Sequence, residues 1–478
     1  MMKEIRIGKY IWQKYNGDEG QDVYIAKFMI PENELLGKFA DTNSYDILVE
    51  NDADFYLPPS CDMVDSTSCD NNCINCMTEN EVAFKFRKNV FTQEEQDGAY
   101  EGLYDAAVES NNRGLAAGPR VKQSGARDWV TAYQQEVLKW YIKGQPRTVD
   151  GSDQLENIKR KHETAVHEIR GSVWLRTKVE TEFGDYRNFF PKAIEKMLKM
   201  SVVDAAVYAK MMSDKFVSDT SYATPIWSGI AGFYGRYPRI PYGRPTAYVQ
   251  HNRKKFEKSY PFARKLELEF KRLLPIRWAR QNEYAAKIDK KFLIGEDTTF
   301  TTITVNTTTK DRNARMACHK DAGSLNAGFS NLTVISPPGK DWTNGYLIAP
   351  EVRAAINVRP GDLLLIDNMR VIHGNTPIEP PESGEDDMLR MSLVYYFRED
   401  MASLGTWEYE TTRRQFVDDR RANKGHLLWK PFWNGVSPKM WNDEEWYDYL
   451  KSKMGKNIVE KYHPEAYEVK SSLEGFFN

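Results

Sequence analysis

The chain has 478 residues, of which 41% are apolar and 28% charged, with a formal net charge of −2. Single hydrophobic cores stop growing at about 250–300 residues, so two or three folded units are expected, and the ordinary composition excludes a wholly disordered or fibrous protein. Near-neutral charge excludes a surface coated in positive potential of the kind that wraps nucleic acid, so any DNA contact has to be local.

The start, MMKEIRIGKY, lacks the apolar stretch of a secretory signal, and no window approaches the roughly 18 apolar residues of a membrane span. A cytoplasmic location, in a cell or an infected host, with no membrane partner, is the corresponding expectation. Residues 1–90 alternate short apolar and polar stretches (YIWQKY, DVYIAKFMI, YDILV) and predict a small mixed unit. That unit carries Cys61, Cys69, Cys73 and Cys76, four of the five cysteines. In a reducing compartment such a cluster suits a tetrahedral zinc site better than disulfides. The Cys69-x3-Cys73-x2-Cys76 spacing also fits an iron-sulfur ligand set, but Asn75 stands where an aromatic is expected and no long βα repeat follows. Residues 91–215 change to three- and four-residue spacing (TQEEQDGAYEGLYDAAVES, FFPKAIEKMLKMSVVDAAVYAKMMSDKF), which predicts a helical region.

Residues 251–280 hold ten Lys or Arg against three Glu. Two readings are compatible here: an amphipathic helix with Phe262, Leu266, Phe270 and Leu273 facing inward, and a phosphate-facing patch. From Phe300 the period becomes two (FTTITVN, GFSNLTVIS, GYLIAPE, AINV, DLLLIDN, MSLVYYF), with turns such as PPGKDWTNG and RPGD between. Short strands without intervening helices predict an antiparallel sandwich or barrel over residues 216–400. The Trp- and acid-rich tail, 401–478, is expected to pack as helices against it.

A lone His-x-Asp pair carries little weight, but here context adds to it. His319 and Asp321 follow one strand, and His373 follows the apolar strand DLLLIDN. Two imidazoles and a carboxylate on neighbouring barrel strands form the facial triad that leaves three positions open on non-haem Fe(II). Those positions suffice for a chelating 2-oxo acid and O2. Arg390 opens the last strand, and strand alternation puts Ser392 on its face while Met391, Leu393 and Tyr395 point away. A guanidinium beside a hydroxyl suits the distal carboxylate of 2-oxoglutarate.

Together, FTTITVN…RMACHKDAG…GFSNLTVIS…GYLIAPE…INVRPGDLLLIDN…IHGNTPI…RMSLVYYFRE resembles the viral and phage branch of the TET/JBP dioxygenases over roughly residues 225–440. That resemblance implies an α+β protein with a double-stranded β-helix (jelly-roll, cupin-like) core. It implies Fe(II) and 2-oxoglutarate as cofactors and hydroxylation of the 5-methyl group of a pyrimidine in DNA. By it His319, Asp321 and His373 hold iron and Arg390 binds 2-oxoglutarate, with Arg315 a co-substrate or phosphate contact. Asn306, Asn326 and Arg244 are candidates for contact with the base. Phe329, Tyr234 and Tyr242 are stacking candidates for a flipped base. Two departures are visible: Ser324 stands where an acid is expected after HKDAG, and Gly243-Arg244 stands where Cys-Arg is expected.

Two rival readings keep the same core. One is the same oxidation on a free nucleotide, peptide or small metabolite, which succinate formation with different substrates would separate. The other is a non-catalytic binding barrel, which the combination of triad and Arg390 disfavours, because binding alone needs none of the four.

Overall fold

The computed structural model describes residues 3–7, 10–58, 78–110, 114–118, 120–121, 199, 201, 204, 221–222, 226–237, 240–381, 388–422 and 443–454. Cys61, Cys69, Cys73 and Cys76, and nearly all of residues 122–220, lie outside the described residues. The chain divides into two compact units, one of residues 1–119, 222–414 and 450–478, the other of 120–221 and 415–449.

The first unit is built on one large sheet. Its strands are β1 (Lys3–Ile7), β2 (Tyr10–Asn16), β3 (Asp22–Ala26), β5 (Ala53–Tyr56), β6 (Val82–Arg87), β7 (Ile226–Tyr234), β8 (Thr302–Thr309), β9 (Ser330–Ile335), β12 (Leu363–Ile366) and β14 (Leu389–Tyr396). They lie in the order β1-β2-β3-β5-β6-β12-β9-β14-β8-β7, antiparallel except for the β3–β5 pair. A second, smaller sheet takes β4 (Ile47–Val49), β10 (Leu347–Ala349), β11 (Ala354–Ile356) and β13 (Gly374–Asn375) in the order β13-β10-β11-β4. Two facing sheets with the last strand in the middle of the larger one are the jelly-roll core expected from the sequence. Residues 1–90, expected as a separate small unit, instead extend both sheets: β6 pairs with β12, and β4 pairs in parallel with β11. A window-by-window reading sees the alternation of these strands but not their partners some 270 residues away.

Alternation along the central strands sorts the two sides of the large sheet. Leu364, Ile366, Val394 and Val334 turn toward the small sheet and pack with Phe55, Phe84, Phe86, Leu347 and Ile356. Leu363, Leu365, Leu393 and Tyr395 turn the other way, onto helices. Those helices are α1 (Gln93–Leu103), α2 (Tyr260–Leu273) and α3 (Pro275–Ala285). α1 starts at a capping box in which Thr92 Oγ1 accepts from the Glu95 amide at 3.3 Å and Glu95 accepts from the Thr92 amide at 2.9 Å. α2 buries Phe262, Leu266, Phe270 and Leu273, the inward stripe its spacing predicts. Pro275 ends it, because a residue before proline is held out of the helical region; Leu274 sits at φ −139°, ψ 64°.

The outward face of this basic segment is not free positive charge. Arg253 pairs with Glu257 at 3.0 Å, Lys258 with Glu101 at 2.5 Å, Arg264 with Asp297 at 2.8 Å and Lys265 with Glu95 at 3.8 Å. Lys255 pairs with Asp105, and Arg272 reaches both Glu269 (2.9 Å) and Glu19 (3.2 Å). Acids brought from elsewhere in the chain offset the run, which favours the amphipathic helix over the phosphate patch.

The tail forms α4 (Trp407–Ala422) and α5 (Asp443–Met454). In the first unit the start of α4 lodges on the core: the Trp407 ring lies 4.8 Å from Phe292, and buried Glu410 accepts from the Gly243 amide at 2.7 Å and the Gly405 amide at 3.0 Å. In the second unit Phe416 and Trp446 meet edge-on at 5.4 Å. No helix among the described residues is long and apolar enough to cross a membrane.

Candidate active site

His319 and His373 are stitched together by their own backbones, each amide donating to the other's carbonyl at 2.9 Å. Gly374 lets the segments approach closely beside them, since a Cβ there would meet the Met316 carbonyl oxygen at 3.0 Å, a tight contact. Asn375 Oδ1 accepts from the Met316 amide at 2.7 Å and holds the incoming segment. Each imidazole uses Nδ1 on a carbonyl, Ala317 at 2.8 Å and Val371 at 3.1 Å, which turns both Nε2 atoms toward Asp321 Oδ1 at 3.4 and 3.8 Å. Nδ1–H bound to a carbonyl leaves the Nε2 lone pair for a metal. Asn368 fixes the carboxylate from behind: its Nδ2 donates to Asp321 Oδ2 at 3.0 Å and its carbonyl accepts the Asp321 amide at 2.9 Å.

The donor atoms of His319, Asp321 and His373 all lie within 4.8 Å of one another. Electrostatics prepares them as ligands. Burial alone would raise the Asp321 pKa, but the two imidazoles and Asn368 bring it down to about 2, so it is ionised. Burial, helped by the charge of His319, takes His373 down to about 4. For His319 burial acts downward, but the Asp321 carboxylate outweighs it and the net shift is upward. An anionic carboxylate between two histidines is the donor set Fe(II) takes.

The triad opens into a cavity of about 400 Å³ that Arg390, Ser392, Asn306, Tyr396 and Arg398 also line. Arg390 is buried, its Nε has no hydrogen-bond partner, and no carboxylate pairs with it among the described residues. Burial and the charge of Arg359 lower its pKa to about 10, which still leaves a cation at neutral pH. A buried, unpaired guanidinium is costly unless an anion reaches it, so the site fits a dicarboxylate with one end on the metal and the other on Arg390. Ser392 lies on the same face, as alternation predicts, and next to Asn306, whose Nδ2 is 3.4 Å from Ser392 Oγ while its Oδ1 accepts from Ser228 Oγ at 2.6 Å.

Other expectations fail on tertiary contacts. Arg315 does not line the cavity: its Nη2 donates to the Ala40 carbonyl at 2.7 Å and its guanidinium lies over Phe39. Asn326 is exposed away from the cavity and offers only its carbonyl to Arg277 at 3.2 Å. Arg244 lies over the Tyr234 ring, donates to the Gly235 carbonyl at 3.2 Å and does not line the cavity. Phe329 and Tyr242 are buried, Phe329 in the helix-side core, and neither lines the cavity. Tyr234 is held between Arg244 and Arg398. Sequence reasoning missed Asn368, Asn375, Tyr396 and Arg398. Alternation continued from Arg390 through 392, 394, 396 and 398 was the available signal for the last two.

A jelly-roll with this triad and a buried arginine defines the Fe(II)/2-oxoglutarate oxygenase class. Residues 238–399 match the family model Tet_JBP, described as the oxygenase domain of the 2OGFeDO superfamily. The chain is 26% identical over 214 residues to thymine dioxygenase JBP1 of Leishmania braziliensis, a match covering 44% of this chain and 24% of the relative. It is 31% identical over 186 residues to the bifunctional helicase and thymine dioxygenase JBP2 of Leishmania infantum, covering 38% of this chain and 16% of the relative. The chain thus spans about a quarter or less of the length of these relatives. The solved structure of NgTET1 in complex with 5mC DNA is similar over 38% of this chain and 64% of that one, with 16% identity and a TM-score of 0.29.

Proposed function

We propose that this protein is an Fe(II)- and 2-oxoglutarate-dependent dioxygenase that hydroxylates the 5-methyl group of a pyrimidine, 5-methylcytosine or thymine, in DNA. The observation that carries the reading is the convergence of His319, Asp321 and His373 on one cavity with Arg390, a buried cation with no carboxylate paired to it among the described residues. The names of the JBP relatives support the substrate.

In this reading His319, Asp321 and His373 hold the iron, and Arg390 with Ser392 takes the distal carboxylate of 2-oxoglutarate. Bound there, Fe(II) with 2-oxoglutarate and O2 supplies an oxidant strong enough for a methyl C–H bond, and 2-oxoglutarate leaves as succinate and CO2. The chain's own part is to orient and exclude. Asn368 keeps Asp321 aimed, the two Nδ1–H groups fix the imidazole tautomers, and the apolar walls Ile230, Leu332 and Val394 limit water at the oxidising centre. A stacked base cannot reach a metal at this depth, so the target nucleotide leaves the helix.

On the quoted motifs we also assign the protein to the viral and phage branch; from its patterning we read a cytoplasmic location, in a cell or an infected host, and we keep zinc as one reading of Cys61, Cys69, Cys73 and Cys76. Mass spectrometry of nucleosides from DNA incubated with protein, Fe(II), ascorbate and 2-oxoglutarate tests the main claim. Hydroxymethylated base should appear with wild type and not with His319→Ala. Succinate formed only with free nucleotides or peptides would instead support the rival substrates.

A further inference from the structure

The turn Gly114–Ala117 stands well before residues 238–399, which match the family model, yet Gly114, Leu115 and Ala116 line the cavity of the triad. Glu109–Ser110 pairs with the start of β7 and brings the chain there. The turn is held from two sides. Ala317, two residues before His319, donates its amide to the Ala116 carbonyl at 2.8 Å, and the Gly118 amide closes the turn on the Leu115 carbonyl at 3.0 Å. Ala117 is buried with Ile226 and Ala314.

The side chains of this turn reverse the usual order. The small ones, Ala116 and Ala117, are 6% and 0% exposed, while the large apolar one, Leu115, is 41% exposed. A single exposed leucine is ordinary on a protein surface. Among the described residues, however, Leu115 is the only large exposed apolar side chain that lines this cavity. Its Cδ2 lies against Gly37, where a Cβ would stand 3.3 Å away, so it marks the rim between the turn and the loop at 37–38. The surrounding charge suits a polyanion. Lys320, Arg390 and Arg398 meet Asp321 alone in the cavity lining, although Glu32 and Asp400 pair with Lys320 and Arg398 from outside it. Lys38, exposed beside Gly37, has no carboxylate paired with it among the described residues.

A nucleotide that turns out of a duplex leaves a one-base gap, which recloses unless an apolar side chain fills it. Leu115 has the size and polarity for that, and its turn is hydrogen-bonded to the segment that carries His319, so the distance from gap to metal is fixed. We propose that Leu115 is a wedge that enters the base stack of duplex DNA and fills the gap left by the target nucleotide as it turns into the cavity. This inference rests on the DNA-base reading above and adds to it how the duplex is held open.

The test uses the full chain with Fe(II), ascorbate and 2-oxoglutarate, and two substrates of one sequence: a duplex with a paired 5-methylpyrimidine target, and the target strand alone, which has no partner strand to reclose on. The quantity read is the ratio of duplex to single-strand oxidation within each protein, so a general loss of activity cancels. Leu115→Ala should lower this ratio about tenfold, because the methyl that remains cannot fill a base step. Leu115→Met, which keeps length and apolarity, should hold it within about twofold of wild type. If Leu115→Ala does not fold, Leu115→Gln carries the same comparison with the volume kept and a polar end added. A 2-aminopurine beside the target, followed without O2, should brighten on binding wild type and much less on binding Leu115→Ala, which reads unstacking without turnover. A ratio lowered less than about fivefold in the folded variants, an equal loss with Leu115→Met, equal brightening, or oxidation of single strands alone by wild type overturns the wedge and leaves the dioxygenase reading intact. Oxidation of neither DNA by a protein that still binds 2-oxoglutarate overturns both.

Discussion

Arg390 shows how a single side chain can be read as waiting for a ligand. Its guanidinium is buried and no carboxylate pairs with it among the described residues, a desolvation cost that a bound dicarboxylate would offset. Arg390→Met should therefore leave thermal stability unchanged or slightly raised while weakening 2-oxoglutarate about 30-fold or more, the loss typical of truncating one partner of a buried charge pair. Calorimetric titration of the iron-loaded protein checks this, and a 2-oxo acid lacking the distal carboxylate should bind both forms alike. Equal loss for both ligands would mean that Arg390 holds the fold and not the co-substrate. Glu351, between β10 and β11, gives a pH prediction. Burial raises its pKa to about 7, against only one amide, from Ile372 at 3.3 Å, and distant cations. A folded-state value above the unfolded value means that its protonated form is favoured by folding. The stabilisation is complete below about pH 4.5 and is lost as pH rises through about 7. Glu351→Gln should flatten the fall in stability between pH 5 and 8 and be more stable than wild type at the alkaline end by up to about 3 kcal/mol. Parallel pH profiles of the two melting curves would sink this.

At the scale of elements, much of the site was legible because it lies on strands with strict alternation. The face shared by Arg390 and Ser392, and the inward stripe of α2, follow from period two and period 3.6 alone. The failures share a cause. Arg315 is captured by Phe39 and Ala40, and Lys258 and Lys255 of the basic run by Glu101 and Asp105 of a distant segment, partners that no local window contains. Asn368 escaped notice because a polar residue ending an apolar strand looks like a turn, whereas its amide reaches forward to Asp321. β7 supplies the element-scale prediction. Gly229 lies so close to the Ala106–Ala107 segment that a Cβ would sit 1.6 Å from the Ala106 carbonyl oxygen. Gly229→Ala must push that backbone aside, and chemical denaturation should show a loss on the order of 3 kcal/mol. A near-neutral result would mean that the segment can move without cost.

For the whole molecule, the N-terminal strands are structural members of the oxygenase unit. Phe55, Phe84 and Phe86 fill the space between the two sheets, and β4 forms the edge of the sheet that carries His373's neighbour Gly374. Removing residues 1–58 would strip β1 to β5 and uncover this core, so the truncated chain should be insoluble or fail to show a cooperative melt. A soluble, 2-oxoglutarate-binding fragment would show that residues 1–58 are an accessory. The order of strands in the large sheet has a kinetic corollary. β14, which brings Arg390, is inserted between β9 and β8, strands made 50 to 90 residues earlier during synthesis. Until it emerges from the ribosome, two hydrogen-bonding edges stay open, and the nascent polypeptide is at its most vulnerable to self-association just before the co-substrate anchor is translated.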